Sequence, residues 1–264
     1  MSDPIWYCCR QRAGPLVKEC RALRPRFAPA DTDEDRRAKA DIKRMARCAV
    51  NRSTVDRLEL RLALIGPNGM HYTLTFDDEH LPADFYGVRR QLTNFLKRAQ
   101  RWLVSCGKPP PFDYVYAIEG LHGNHRYHVH FVCNADDLPP AAIVPSESGD
   151  WLGLWRCGIV DMEPVLLTRR YLHPDTGEPV VVSDGAYRRL AKYFNKERED
   201  GFWIPLGRHP WSASRCLTAR LPAPELWTSD SGVIEVPDNV IYARRGHHEN
   251  DFGSYYYASY VISD

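Results

Sequence analysis

Apolar and polar residues alternate along three short segments of the chain, and this period-two pattern is typical of a half-buried β-strand. We predict strands over Met70–Phe76, Asp113–Glu119 and Tyr127–Cys133. A polar loop joins the last two segments, so we expect them to pair as an antiparallel hairpin. Gly158–Glu163 has the composition of a fourth strand.

Other segments repeat their apolar residues at intervals of three and four, which is the pattern of an amphipathic helix. Helices are predicted over residues 35–51, 85–104 and 185–198, and the acidic segment Asp31–Glu34 precedes the first of them. The apolar stripe of the last helix is expected in the core and consists of Tyr187, Leu190, Ala191 and Phe194. Strands with helices between them and a central hairpin predict an α+β fold, an antiparallel sheet with helices packed on one face.

The two outer parts of the chain lack a clear period. Residues 1–30 are rich in Arg, Pro and Cys, and we predict an irregular arm there. From Gly201 onward the chain is rich in Pro and turns, and its aromatic segment Tyr255–Ile262 fits either a strand or a helix. With 264 residues, of which 44% are hydrophobic, the chain can bury one core with appended segments.

The formal net charge is only +1, but basic residues are concentrated in two of the predicted helices. Such runs can contact phosphates while acids elsewhere cancel the sum, although an ordinary solvated helix face has the same pattern. The first run comprises Arg36, Arg37, Lys39, Lys43, Arg44 and Arg47, and the second comprises Arg89, Arg90, Lys97, Arg98 and Arg101.

Several classes of protein are excluded by the absence of their motifs. The eight cysteines form no CxxC pair, so no zinc ribbon or finger is indicated. There is no secretory signal and no apolar stretch of the ~20 residues that span a bilayer, so we expect a cytoplasmic protein with reduced thiols and no membrane partner. The phosphate-loop pattern GxxxxGK[ST] is also absent, so no helicase motor is indicated.

His128 and His130 lie two residues apart in a predicted strand, so both imidazoles point to the same face and can bind one ion. In the hairpin register that places Glu119 opposite His128, the carboxylate joins them, because directly opposed Cβ atoms are ~5 Å apart. Two imidazoles and one carboxylate suit a divalent ion such as Mg²⁺ or Mn²⁺. Two alternatives stay open: histidines that are only hydrogen-bonded, and a third ligand from the next strand, Asp161 or Glu163.

Tyr193 is placed at the edge of the apolar stripe of helix 185–198. Arg189 and Lys196 flank it on the polar side. Nearby cations lower the pKa of a phenol and stabilise charge that develops on a phosphate. Tyr193 is therefore the candidate nucleophile, ranked above Tyr187, which belongs to the stripe; an ordinary surface tyrosine has the same pattern.

Three motifs, in this order, resemble those of the HUH endonuclease superfamily, and most of all the rolling-circle replication initiators of bacterial plasmids, small phages and related elements. Tyr72–Phe76 resembles the first motif, a strand of the form aromatic-Thr-Leu-Thr-aromatic. Arg126–Phe131 resembles the metal-binding motif, in which a hydrophobic residue separates two histidines. Tyr193–Lys196 resembles the tyrosine motif, in which a lysine follows the nucleophile by three. The resemblance covers roughly residues 70–200.

The resemblance implies a ferredoxin-like or RNA-recognition-motif-like sheet that binds single-stranded origin DNA. It implies that a divalent ion held by Glu119, His128 and His130 polarises the scissile phosphate, and that Tyr193, aided by Lys196, attacks it. The products would be a 5′-phosphotyrosine and a free 3′-OH, and a host helicase and polymerase would be partners. We assign the DNA contacts to Tyr72, Thr73, Thr75, Arg126, Arg189 and Lys192.

Some phage initiators carry a second tyrosine four residues before the first, but position 189 is Arg here, so a single-tyrosine mechanism is favoured. The expected domains are an N-terminal arm with a basic helix (1–65), an HUH nicking domain (66–200) and a C-terminal extension packed on the core (201–264).

Three other functions are alternatives. A single-tyrosine transposase of the same superfamily is disfavoured by the long segment after Gly201, and a zinc protein would use scattered Cys and His. A non-catalytic module that binds single-stranded DNA would stack bases on Tyr72, Tyr114, Tyr116 and Phe131.

Overall fold

The protein has an α+β fold with two five-stranded antiparallel sheets, a two-stranded ribbon and few helices among the residues that the structure describes. The predicted fold class is confirmed, and the arrangement is compatible with a ferredoxin-like sheet with helices packed on one face. The structure is a computed structural model, and it describes residues 5–23, 32–33, 54–108, 111–120, 126–183, 185–195, 211–250 and 253–263.

The elements are numbered in chain order. The strands are β1 (Trp6–Ala13), β2 (Leu16–Leu23), β3 (Gly69–Thr75), β4 (Tyr114–Glu119), β5 (His128–Asn134), β6 (Val160–Pro164), β7 (Thr168–Leu172), β8 (Pro179–Ser183), β9 (Trp211–Ala213), β10 (Glu225–Ser229), β11 (Val240–Asn250) and β12 (Gly253–Ile262). The helices are α1 (54–65), α2 (Phe85–Ser105), α3 (Pro140–Ile143), α4 (Ala186–Tyr193) and α5 (Arg215–Ala219).

The predicted central elements are present with small shifts at their ends. The four predicted strands correspond to β3, β4, β5 and β6, and the predicted helix 85–104 is α2. Helix α4 ends at Tyr193 and is followed by a turn at 194–195, so the prediction of a helix to residue 198 is wrong there. The predicted helix 35–51, with the first basic run, and residues 196–200 lie outside the described residues.

The first sheet, called the site sheet below, has the strand order β6-β3-β5-β4-β9. On its central strand β3, Tyr72 and Leu74 point to one face and are fully buried. There they pack with Phe95 and Leu103 of α2, and α2 begins at Asp84, whose side chain accepts a hydrogen bond from the N–H of Gly87. Full burial of such a side chain contributes about 1.5–3 kcal/mol, so this face is the main core.

The opposite face of the site sheet packs against α1 and α4. Val115, Ala117 and Val132 of the sheet form a second core with the stripe of α4 and with apolar residues of α1. The predicted burial of the stripe is confirmed: Tyr187, Leu190, Ala191 and Phe194 are all buried. The helix that carries Tyr193 therefore lies on the same face as the side chains of His71 and Thr73, which alternate with the core residues of β3.

The second sheet has the strand order β10-β1-β2-β12-β11 and combines both outer parts of the chain. The prediction of an irregular arm over residues 1–30 is therefore wrong for β1 and β2, which form a hairpin. The turn between them needs glycine at position 14, because φ is +54° and a Cβ there would lie 2.7 Å from the carbonyl oxygen of Ala63. The segment Tyr255–Ile262 is a strand, paired with both β2 and β11.

Charged side chains at buried positions explain why the strands of the second sheet lack a simple alternation. Glu19 is 2% exposed and its carboxylate lies between the guanidinium groups of Arg10 and Arg21, at 2.8 and 3.1 Å. A charge is tolerated in such a position only when it is paired and hydrogen-bonded. The pairing partners come from different strands, so the pattern within one strand does not reveal them.

The division of the chain at residues 65 and 200 stays a prediction. Strand β9, in the predicted extension, is the edge strand of the site sheet, where Trp211 pairs with Ala117 of β4. Val261 of β12 packs in the core that contains α1 and α4. The outer parts of the chain thus contribute directly to the sheet and to the core behind the site.

Candidate metal and tyrosine site

The site is built on the hairpin of β4 and β5. The predicted register is confirmed, with Glu119 opposite His128 and Ala117 opposite His130. The residue that follows Glu119 is Gly120, at φ +94°, where a Cβ would lie 2.5 Å from the carbonyl oxygen of Arg126. Only glycine allows the two strands to approach so closely at this point, and this approach sets where Glu119 lies.

Glu119, His128 and His130 converge on one point. Glu119 Oε2 lies 3.1 Å from His128 Nε2 and 2.6 Å from His130 Nε2. All ligand atoms of the three residues lie within 4.8 Å of one another, and no other such group of three was found among the described residues. Two imidazole nitrogens and a carboxylate oxygen at this spacing form a donor set that could hold one divalent ion.

The alternative third ligands lie elsewhere on the sheet. Asp161 pairs with Thr73 and Glu163 pairs with His71, both across the β3–β6 boundary. Neither carboxylate belongs to the group around His128 and His130. The hairpin therefore supplies the whole candidate ligand set.

Tyr193 reaches this group from the end of α4. Its hydroxyl donates a hydrogen bond to Glu119 Oε2 at 3.2 Å and lies 3.1 Å from His130 Nε2. The ring stands edge-on to the His130 ring, with centroids 4.9 Å apart, and the side chain remains 36% exposed. Tyr193 thus combines an anchored ring with a hydroxyl open to a second molecule, whereas Tyr187 is 2% exposed and lies in the core.

A buried cluster of charges holds α4 from behind. Arg188 of α4 contacts Asp56 and lies 3.0 Å from Glu59, both on α1. Lys18 of β2 lies 2.8 Å from Asp56 and 2.6 Å from Glu59, and Arg244 of β11 lies 3.8 Å from Asp56. This group, called the ion cluster below, links the tyrosine helix to two strands of the second sheet.

Burial favours neutral histidines at the site. It lowers the pKa of His130 below its ordinary value, an effect that Glu119 opposes. Burial also lowers the pKa of His71, and Glu163 opposes it there. A neutral imidazole has a free lone pair on one nitrogen, which is the form that binds a metal ion.

The sequence analysis missed His71 and assigned Glu163 only as an alternative ligand. His71 Nε2 lies 3.0 Å from His130 Nδ1, and His71 Nδ1 lies 3.0 Å from Glu163 Oε1. A signal was present, since His71 precedes Thr73 and Thr75 at period two on the same strand and so shares their face. The first motif directed attention to Tyr72 instead.

The assignment of Tyr72 as a DNA contact requires correction. Its side chain is fully buried and its hydroxyl donates to the carbonyl oxygen of Leu138. Phe131 is also fully buried, so the stacking platform of the alternative binding module lies in the core, behind α2. An aromatic ring enclosed in this way cannot stack on a base.

The remaining predicted DNA contacts have mixed surroundings. Thr73 and Thr75 lie opposite His130 and His128 on the site face, and Thr75 donates its hydroxyl to the carbonyl oxygen of Ile159. The guanidinium of Arg126 lies 2.5 Å from Asp78 and 3.0 Å from the carbonyl oxygen of Phe76, away from the ligand group.

On α4, Arg189 and Lys192 are exposed, and Lys196 lies outside the described residues. The second basic run lies on α2, which covers the face of the sheet opposite the site. Its cations therefore cannot contact a phosphate bound at the ligand group.

Residues 70–198, from β3 to just beyond α4, match the family described as Replication-associated protein ORF2. The chain is similar to replication initiators. The matched segment contains the hairpin, the three candidate ligands and Tyr193, and the match suggests a role in replication initiation with DNA as a partner. No curated protein and no solved structure matches the chain significantly. The helices of the described residues include none that is long and apolar enough to cross a membrane.

Proposed function

We propose that this protein cuts and rejoins single-stranded origin DNA through a 5′-phosphotyrosine and so starts rolling-circle replication, as a metal-dependent, single-tyrosine endonuclease of the HUH type. The observation that carries the proposal is the hydroxyl of Tyr193, which lies 3.2 Å from Glu119 Oε2 and 3.1 Å from His130 Nε2. A phosphate held at these ligands is within reach of the nucleophile, and such proximity removes much of the entropic barrier to attack. The match to a replication-associated family supports the same role.

Glu119 Oε2 and the Nε2 atoms of His128 and His130 would hold the divalent ion, Mg²⁺ or Mn²⁺. Once bound, the ion would polarise the scissile phosphate and neutralise the charge that develops on it. His128 Nδ1 lies 3.2 Å from the carbonyl oxygen of Arg126, to which it donates when Nε2 is the ligand atom. The backbone of the hairpin thus orients the first of the two imidazoles.

The remaining chemistry belongs to the chain. The oxygen of Tyr193 attacks the phosphorus and the bond to the 3′ oxygen breaks, while Glu119 Oε2 is placed to take the phenol proton. The 3′ oxygen leaves with a proton from water, and its later attack on the phosphotyrosine rejoins the strand. The exposed cations Arg189 and Lys192 of α4, with Lys196, are proposed to contact the phosphates on either side.

The proposal is tested by trapping the covalent intermediate. The protein is incubated with Mn²⁺ and single-stranded oligonucleotides labelled at the 3′ end, denatured, and digested to map the labelled peptide. We expect the label on Tyr193, no adduct with Tyr193→Phe, and loss of cleavage with His128→Ala or His130→Ala, because weak binding of the ion depends on every ligand. Tyr187→Phe is the matched control and should label like the wild type, since this side chain fills the core.

Two outcomes contradict the proposal. A label on a tyrosine of β12 would show that the nucleophile is a different residue. DNA binding without any adduct, at all Mn²⁺ concentrations, would favour a binding module. Host helicase and polymerase are the expected partners once the 3′-OH is available.

A further inference from the structure

The two candidate histidine ligands differ in what holds their second ring nitrogen. His128 Nδ1 faces a backbone carbonyl, that of Arg126, at 3.2 Å. His130 Nδ1 faces another imidazole, His71 Nε2, at 3.0 Å, and His71 Nδ1 in turn lies 3.0 Å from Glu163 Oε1. A chain of carboxylate, imidazole and imidazole therefore leads from the edge strand β6 to one ligand only.

We propose that His71 and Glu163 are positioning residues that fix the tautomer and the ring orientation of His130, so that its Nε2 is the ligand atom. The inference rests on the proposed function, since it concerns the ion that Glu119, His128 and His130 would hold. It assigns a role to two residues outside that ligand set, neither of which contacts the bound ion.

The count of protons along the chain selects this arrangement. An ionised Glu163 has only acceptors, so a neutral His71 uses its single N–H, on Nδ1, to donate to it. His71 Nε2 is then a lone pair and can only accept, which requires the N–H of His130 to be on Nδ1. This leaves a lone pair on His130 Nε2, the atom that faces Glu119 and Tyr193.

The backbone register makes the chain rigid. His71 pairs directly with Glu163 across β3 and β6, and Thr73, two residues on, pairs with His130 across β3 and β5. His71 is thus the diagonal neighbour of His130 on the same face, a distance that long side chains span. Both imidazoles are held by the central strand of the site sheet.

Phe194 shields this chain from water. Its ring centroid lies 5.7 Å from that of His130 and 5.8 Å from that of His71. The side chain of His71 is 8% exposed, whereas that of Glu163 is 56% exposed. Burial strengthens the hydrogen bond between the two imidazoles, because competing water is excluded.

Binding of Mn²⁺ to the whole protein, followed by the electron paramagnetic resonance signal of the free ion, tests the proposal without DNA or turnover. Partners of this kind are commonly worth 10–100-fold in metal affinity. We expect His71→Leu to raise the Kd for Mn²⁺ by about 10-fold or more. His71→Gln should restore part of the affinity, since its amide can accept from His130 and donate to Glu163. Glu163→Ala should weaken binding as well, and the fold should tolerate this change because the side chain is exposed.

The matched control is His80→Leu. His80 forms a similar histidine–carboxylate contact, with Asp77 at 2.8 Å, but on an exposed turn that contacts no candidate ligand. We expect its Kd for Mn²⁺ to equal that of the wild type. Wild-type affinity in both His71→Leu and Glu163→Ala would overturn the positioning role, as would equal losses in His71→Gln and His71→Leu. A wild-type protein that binds no Mn²⁺ would instead overturn the metal dependence of the proposed function, and this inference with it.

Discussion

The two five-stranded sheets contribute to the site in different ways. The site sheet carries the candidate ligands on adjacent strands, and its core is apolar with regular alternation. The second sheet carries none of them, but Lys18 and Arg244 on its strands complete the ion cluster that holds the helix of Tyr193. The ligands and the nucleophile are therefore supported by separate parts of the molecule, and the two supports should be separable by mutation.

The largest effect is expected from Arg188→Leu, which leaves the buried carboxylate of Glu59 with Lys18 alone. Breaking a buried pair by removing one partner costs about 3–5 kcal/mol, and Lys18 should keep the loss near the lower value. We expect a lower melting temperature and slower formation of the adduct, with an unchanged Kd for Mn²⁺. Arg220→Leu is the control, because Arg220 pairs with Asp113 while its side chain is 57% exposed. A Kd for Mn²⁺ that rises in parallel with the loss of cleavage would break the comparison.

Gly120→Ala tests the other support. At φ +94° an added Cβ would lie 2.5 Å from the carbonyl oxygen of Arg126, so the end of the hairpin must shift and Glu119 with it. Strain of this kind costs about 1–3 kcal/mol. We expect weaker binding of Mn²⁺, measured by the same titration, together with a loss of cleavage.

The control for this change is Gly107→Ala, because Gly107 also has a positive φ, of +72°, but a Cβ there would meet nothing within 4 Å. It should lose stability from the backbone conformation and keep its affinity for Mn²⁺. Equal Kd values in the two variants would show that the close approach at Gly120 does not set the position of Glu119.

The smallest effect concerns Asp56 and acid. Burial raises the pKa of Asp56, but Lys18 and Arg188 more than offset this, so the pKa lies below its ordinary value. The carboxylate therefore stabilises the fold above its unfolded pKa, and this contribution is lost as pH falls through the lower, folded pKa.

We expect Asp56→Asn to be less stable than the wild type near neutral pH, with a difference that shrinks below about pH 4. The side chain is 34% exposed, so the difference should stay within about 1 kcal/mol. Denaturant unfolding of both proteins at several pH values measures it; a difference that grows in acid would contradict the sign.

The site sheet was predictable because its pattern is local. Alternation located β3, β4 and β5, and the short loop fixed a register that placed Glu119 opposite His128. The second sheet was missed because its buried positions hold charges such as Glu19, whose partners come from a neighbouring strand. His71 was missed for a related reason: its role depends on Glu163 and His130 in two flanking strands, and no spacing along one strand encodes such a contact.

The pairing of β2 with β12 has a consequence for the order of folding. Contacts between segments close in sequence form quickly, while strands far apart in the chain must first overcome the entropy of closing a long loop. The hairpin of β4 and β5 is of the first kind, and the pairing of Leu16 with Val261 is of the second. A newly made chain should therefore gather the residues of the hairpin early and brace the tyrosine helix late, so that the capacity to break DNA is acquired only after the capacity to bind an ion.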